Sequence, residues 1–179
     1  MMRNHSNNPP GSRIYLLHPL PFAMPLVLAF MLLSARAADE STSPPSGPEV
    51  NLALVATTST SFVSGHETLT ALNDGATPAN SGDKSHGAYG NWPQRGTQWV
   101  QYDWAQPIST RRMEVYWFDD HGGVRLPKAC RLKYWDGNAF VTVANAIGLG
   151  LVENRFNTTT FPELTTTKLR LEFDGNDDS

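Results

Sequence analysis

Residues 97–120 read TQWVQYDWAQPISTRRMEVYWFDD, and in both apolar runs of this stretch the large side chains recur at every second position. Val100, Tyr102 and Trp104 share one face, and Met113, Val115 and Trp117 share one. A period of two is that of strands with one buried side. The pattern continues outward. "ACRLKYW" and "FVTV" flank Asp136-Gly137-Asn138, a hairpin turn signal because glycine readily supplies positive φ. "NRFNTTTF" and "KLRLEF" complete the set, and no segment of 10 or more residues carries a helical period. The pattern predicts an all-β chain, an antiparallel β-sandwich of jelly-roll type.

The chain has 179 residues, 40% hydrophobic and 17% charged, which suits one globular domain with appendages. Arg3 and Arg13 precede the apolar run "PFAMPLVLAFMLLS", which ends in Ala35-Arg36-Ala37. That order predicts a signal peptide over residues 1–37 and a secreted, extracellular or periplasmic product. A membrane anchor would need about 20 apolar residues, and Pro19, Pro21, Pro25 and His18 interrupt the run before that length is reached. Cleavage after Ala37 removes three arginines and no acidic residue, which moves the formal charge from -3 to -6. Residues 38–50, with three prolines and three serines, read as a linker, residues 51–174 as the sandwich and residues 175–179 as a polar tail.

An acidic chain without clustered Lys and Arg has no footprint for nucleic acid. Cys130 is the single cysteine, so no intramolecular disulfide forms, and its alternation with Leu132 and Tyr134 predicts a small core residue rather than a reactive thiol. The mature histidines are His66, His86 and His121, with no spacing of zinc-ligand type. There is no G-x-S-x-G, and Gly148-Leu149-Gly150 lacks the third glycine of a dinucleotide loop because Glu153 holds that place. Asp119 and Asp120 are adjacent, and neighbours on a strand point to opposite faces, so adjacency makes no catalytic pair for glycoside hydrolysis. The sequence predicts no enzyme.

Two stretches carry binding chemistry. "WFDDHGGVRLPK", residues 117–128, offers Asp119, Asp120, His121 and Arg125 between strands. Aspartate accepts from sugar hydroxyls, arginine and histidine donate to oxygens, and loops on a rigid scaffold commonly present such groups. A solvated turn is the alternative. "GDKSHGAYGNWPQRG", residues 82–96, holds Tyr89 and Trp92 beside Arg95. These aromatic rings could form a stacking surface for a sugar, or Trp92 could fold back and plug the barrel end.

"NLALVATTSTSF", "ALNDG", the stretch quoted first, "VRLPKACRLKYWDGNAFVTV" and "TTKLRLEF" together resemble the discoidin, or coagulation factor 5/8 type C, family of galactose-binding-like domains. The likeness is greatest to the carbohydrate-binding modules attached to secreted bacterial glycoside hydrolases, and it covers nearly all of residues 51–173. It implies a jelly roll that binds a glycan, such as a plant or microbial polysaccharide, through loops at one end. Tyr89, Trp92, Arg95, Asp119, Asp120, His121 and Arg125 would be the ligand residues. It also implies a structural calcium beside Asp74-Gly75, against which an ordinary Asp-Gly turn stands as the alternative. Family members normally close with one further strand after the one resembling "KLRLEF", whose absence here would uncover a sheet edge. A protein-interaction or adhesion module of the same fold, or a fragment of a larger glycoside hydrolase, are the competing functions. Membrane docking is disfavoured by the mixed, polar loops. Asn157-Thr158-Thr159 matches a glycosylation sequon.

Overall fold

The computed structural model describes residues 50–175 together with the pair Tyr15–Leu16. The predicted signal peptide otherwise lies outside the described residues, as do most of the linker and the tail beyond Gly175. Among the described residues there is no α-helix, and no helix long and apolar enough to cross a membrane. The strands are β1 (Tyr15–Leu16), β2 (Val50–Asn51), β3 (Thr57–Thr60), β4 (Thr97–Tyr116), β5 (Ala129–Trp135), β6 (Phe140–Thr142) and β7 (Phe156–Asp174). β1 pairs with β2; the other five form one antiparallel sheet in the order β3-β4-β7-β5-β6, which curls into a β-sandwich.

The alternation read from the sequence sets the register. Val100 pairs with Leu171 and Tyr102 with Leu169, while on the other side of β7 Cys130 pairs with Phe173 and Leu132 with Leu171. These inward residues form the core with Trp104, Met113, Val143 and Phe161, and Val115, Trp117 and Tyr134 pack against it. Cys130 is a half-buried wall residue whose thiol burial pushes up, although nearby Arg131 opposes the shift. Desolvation makes it a weaker nucleophile than a free thiol.

The sequence divides β4 and β7 into two strands each, and the structure joins them. Between the pairs Asp103/Lys168 and Ile108/Thr166, four residues of β4 (104–107) stand against one of β7. Between Thr110/Leu164 and Arg112/Thr160, one residue of β4 stands against three of β7 (161–163). Pro107 lies in the first irregularity and Pro162 in the second. A proline cannot donate to a ladder, and a bulge both tolerates it and bends the strand. The two bends fold the ribbon over, so that Val100 and Tyr102 from one half of β4 and Met113 and Val115 from the other line the same cleft.

Two 3-10 turns cover the core where no strand reaches. Trp104 donates its indole N–H to Leu52 O at 2.9 Å, and the Tyr102 hydroxyl donates to Leu72 O at 2.8 Å. Asn73, of the "ALNDG" motif, donates to both Ala53 O and Ala56 O and so fastens the two turns together. β7 has a partner on each side, so the strand containing "KLRLEF" is interior and the sheet edges are β3 and β6. The expected sequon is not presented: Asn157 is buried, and its amide bonds Val152 on both N–H and C=O.

On the outer face Arg170 lies between the rings of Trp99 and Phe140, 4.3 and 3.8 Å from their centroids. Leu132 and Leu169 are each 1% exposed at the centre of the other face. Leu132→Ala or Leu169→Ala should lower the unfolding free energy by about 2–5 kcal/mol in urea denaturation, because the neighbours cannot fully collapse into the space.

Candidate functional site

One end of the sandwich holds a cleft of about 150 Å³ between the loop at residues 74–94 and the loop at residues 117–127. Its inner wall is core: Val100, Met113, Val115, Leu171 and Phe173. Its outer rim carries Asp74, His86, Trp92 and Arg125. The loops meet where a Cβ on Gly90 would lie 3.2 Å from both Val124 and Glu67 side chains, so a residue without Cβ brings them together.

Trp92 is 49% exposed, which a ring folded back as a plug would not be. Its indole lies 6.0 Å from the His66 ring at 42°, and the Trp92-Pro93 peptide is cis. Tyr89 also lines the cleft, with its edge toward Phe173. Its hydroxyl bonds Thr60 Oγ1 at 2.6 Å and donates to Phe62 O at 2.9 Å. Burial pushes the Tyr89 pKa up, with the Thr60 bond opposing it. Tyr89 therefore supplies a ring and no free polar atom. Arg125 is exposed on the rim and makes no ion pair among the described residues. Arg95 is exposed outside the cleft; its carbonyl accepts from Gln98 Nε2.

The structure places Asp119, Asp120 and His121 beside the cleft rather than in its wall. Asp119 is buried, and its carboxylate accepts from His121 N at 2.8 Å and Leu126 N at 3.1 Å. Its own N–H donates to Ser81 Oγ, and Asn154 Oδ1 accepts from Ser81 N and Oγ, so three separate loops share this knot. Asp120 Oδ1 accepts from Gly122 N and Val124 N. Burial raises the Asp120 pKa, but the bonds from Val124 and Gly122 and the charge of Lys84 outweigh it and hold the carboxyl below its usual range. Both carboxylates hold the loop in shape and neither lines the cleft.

His121, at φ 55°, places Nδ1 3.2 Å from Asp119 Oδ1 and Nε2 3.8 Å from Glu153 Oε2. Asp119, His121 and Glu153 are the group that could hold a metal ion among the described residues. Glu153 lies 32 residues from His121 in sequence, and nothing in the local pattern brings them together. Asp74 is exposed; its Oδ1 accepts from Ala76 N at 2.8 Å with Gly75 at φ 79°, which is an Asp-Gly turn. Asp74 belongs to no group of three or more His, Cys, Asp or Glu ligands among the described residues, and calcium takes 6–8 oxygens, so these side chains do not by themselves fit the ion.

No protein-family model and no curated protein matches the sequence. Among solved structures, the chain is similar to a chain of the beta-galactosidase BgaA of Streptococcus pneumoniae, with TM-score 0.62 and 16% identity over 70% of this chain and 85% of that one. A Bacteroides thetaiotaomicron chain described as an alpha-L-fucosidase aligns with TM-score 0.53 and 9% identity over 72% of this chain and 26% of that one. Chitosan-binding module 2 of a Paenibacillus sp. IK-5 chitosanase/glucanase, solved with chitotriose, aligns with TM-score 0.45 and 21% identity over 70% of this chain and 88% of that one. At these identities the likeness is one of fold.

Asp119→Ala leaves the amides of His121 and Leu126 without their acceptor and should cost about 1–3 kcal/mol in chemical denaturation. Asp120→Ala, whose partners reach water, should cost less. Asp83, which closes the turn beside His86, has its pKa lowered from 3.8 to about 2 by bonds from the Ser85 hydroxyl and the Ala79 and Ser85 amides. A depressed carboxyl stabilises its turn above pH 3.8 and loses that contribution as pH falls through about 2. The Ala79 and Ser85 amide resonances should therefore titrate with a midpoint at about 2; a midpoint at 3.8 would contradict the turn.

Proposed function

We propose that the chain is a secreted, non-catalytic carbohydrate-binding module of discoidin-like, galactose-binding-like type, which holds a glycan at the mouth of the cleft. The observation that carries this reading is the presence, on one rim, of an exposed Trp92 ring and an Arg125 guanidinium that has no ion-pair partner among the described residues. An indole face packs on the apolar C–H side of a sugar ring, and a guanidinium donates to its hydroxyl oxygens. Asp74 adds a carboxylate oxygen, Oδ2, on the same rim.

The fold shared with chains of a beta-galactosidase and an alpha-L-fucosidase supports the reading, and it makes association with a glycoside hydrolase the natural setting. The carboxylates of Asp119 and Asp120, turned onto their own backbone, support the non-catalytic part. A site with one stacking ring and an open rim binds weakly, with Kd on the order of 0.1–1 mM.

In calorimetric titration against glycans selected on an array, Trp92→Ala and Arg125→Ala should each weaken binding about tenfold, the loss expected for one stacked ring or one charge-assisted bond. Their thermal midpoints should match the parent. Unchanged affinity in both variants would remove the site assignment. A structural calcium belongs to this proposal only with backbone carbonyls completing the shell around Asp74. It predicts a midpoint that rises with calcium in the parent and not in Asp74→Ala.

A further inference from the structure

The cleft differs in character from its rim. Below Trp92 and Arg125 the wall is furnished mostly by apolar side chains, with Met113, Val115, Leu171 and Phe173 at its base. The polar atoms that reach this wall are largely engaged elsewhere. Tyr102 hydroxyl donates to Leu72 O, the Tyr89 hydroxyl is held by Thr60 and Phe62, and the Trp117 indole N–H donates to Gly150 O at 2.8 Å. A pyranose lowered against the Met113, Val115, Leu171 and Phe173 wall would place hydroxyls against side chains that cannot bond them, which opposes its entry there. A flat apolar ring carries no such penalty. The volume, about 150 Å³, is that of a cavity known to accept benzene when its walls are apolar.

One lining residue does keep an unmet polar atom. The Tyr116 hydroxyl is shielded from solvent and has no hydrogen-bond partner among the described residues, and burial, with Asp83 nearby, raises its pKa. Buried hydroxyls are normally satisfied, so an orphan beside an apolar cleft suits a ligand with one polar atom on an otherwise apolar group.

We infer that the cleft takes an aromatic substituent attached to a saccharide, the sugar resting on the Trp92 and Arg125 rim and an aryl group with a para polar atom entering between Met113 and Phe173. This rests on the glycan reading above and narrows it from polysaccharides in general to glycans bearing aryl groups.

The test compares methyl and 4-nitrophenyl glycosides of galactose, glucose, N-acetylglucosamine and xylose by calorimetry with the full chain, with 4-nitrophenol alone as the third probe. At least one 4-nitrophenyl glycoside should bind about tenfold or more tighter than its methyl counterpart, from the extra apolar area buried. 4-Nitrophenol should bind more weakly than that glycoside. In protein carrying ¹³C-methyl methionine, the Met113 resonance, identified by its loss in Met113→Leu, should shift with the aryl glycoside and stay in place with the methyl one. Val115→Phe should abolish the difference between the two glycosides while leaving methyl-glycoside affinity intact; should that variant not fold, the Met113 shift decides alone. Tyr116→Phe should reduce the aryl advantage about threefold or more. Equal affinities for a methyl and an aryl glycoside, with an unmoved Met113 resonance, would overturn the inference and leave the glycan reading standing. Binding of 4-nitrophenol as tight as that of every glycoside, or binding of none of the probes, would overturn both.

Discussion

The structure depends on one antiparallel pairing, that of the 20-residue β4 with the 19-residue β7. Two strands this long cannot stay flat and also bury their apolar faces, because a flat ribbon leaves one side of each hydrophobic ladder in water. The two register irregularities at Pro107 and Pro162 resolve this by bending the ribbon until its halves enclose a common core. β5 and β6 then extend the sheet beyond β7, and β3 extends it beyond β4. The cleft follows from the same bends, since its wall is drawn from both halves of β4 and the end of β7.

The loops at that end are held by a single local device used repeatedly. Asp74, Asp83, Asp119 and Asp120 each accept a hydrogen bond from the backbone N–H two residues on, and Asp136 does the same in the hairpin at the far end of β5. Such turns fix backbone shape with a short acidic side chain and spend the carboxylate in doing so. The rim thereby presents the Arg125 guanidinium, which makes no ion pair among the described residues, together with an exposed indole and the second carboxylate oxygen of Asp74. The outer sheet face uses its charges differently, in pairs such as Lys133 with Glu172 and Lys168 with Asp103. All four of these residues are half-buried, and each pair neutralises a charge that the partly covered face would otherwise leave unmatched.

Much of the fold was legible because half-buried strands leave an alternating trace. The faces read from Val100, Tyr102 and Trp104, from Met113, Val115 and Trp117, and from Cys130, Leu132 and Tyr134 are those that meet the core. The Asp136-Gly137 turn was legible for a local reason, its Gly137 φ of 105°. The joining of strands across Pro107 and Pro162 was not, because a proline looks like a break unless the partner strand is known. The site was legible as two loops and not as a set of partners. Asp119 offers the same chemistry in sequence whether it faces a ligand or its own loop, and the deciding contacts come from Ser81 and Leu126. Likewise the depth of the cleft comes from core residues of β4 and β7, whose alternation signals only burial. His86, on the rim, was weighed only as a zinc ligand; its place beside Tyr89 and Trp92 in one glycine-rich loop was the available signal.

The central claim is that the bent ribbon builds one binding site, at the cleft between the two loops. The most direct measurement is a ¹H–¹⁵N correlation titration of the full chain with a soluble oligosaccharide that it binds. The account predicts shifts concentrated in the Trp92 indole, the amides of residues 86–94 and those of residues 122–127. Shifts centred instead on Trp99, Phe140 and Arg170 of the outer face, with the Trp92 indole unmoved, would contradict it.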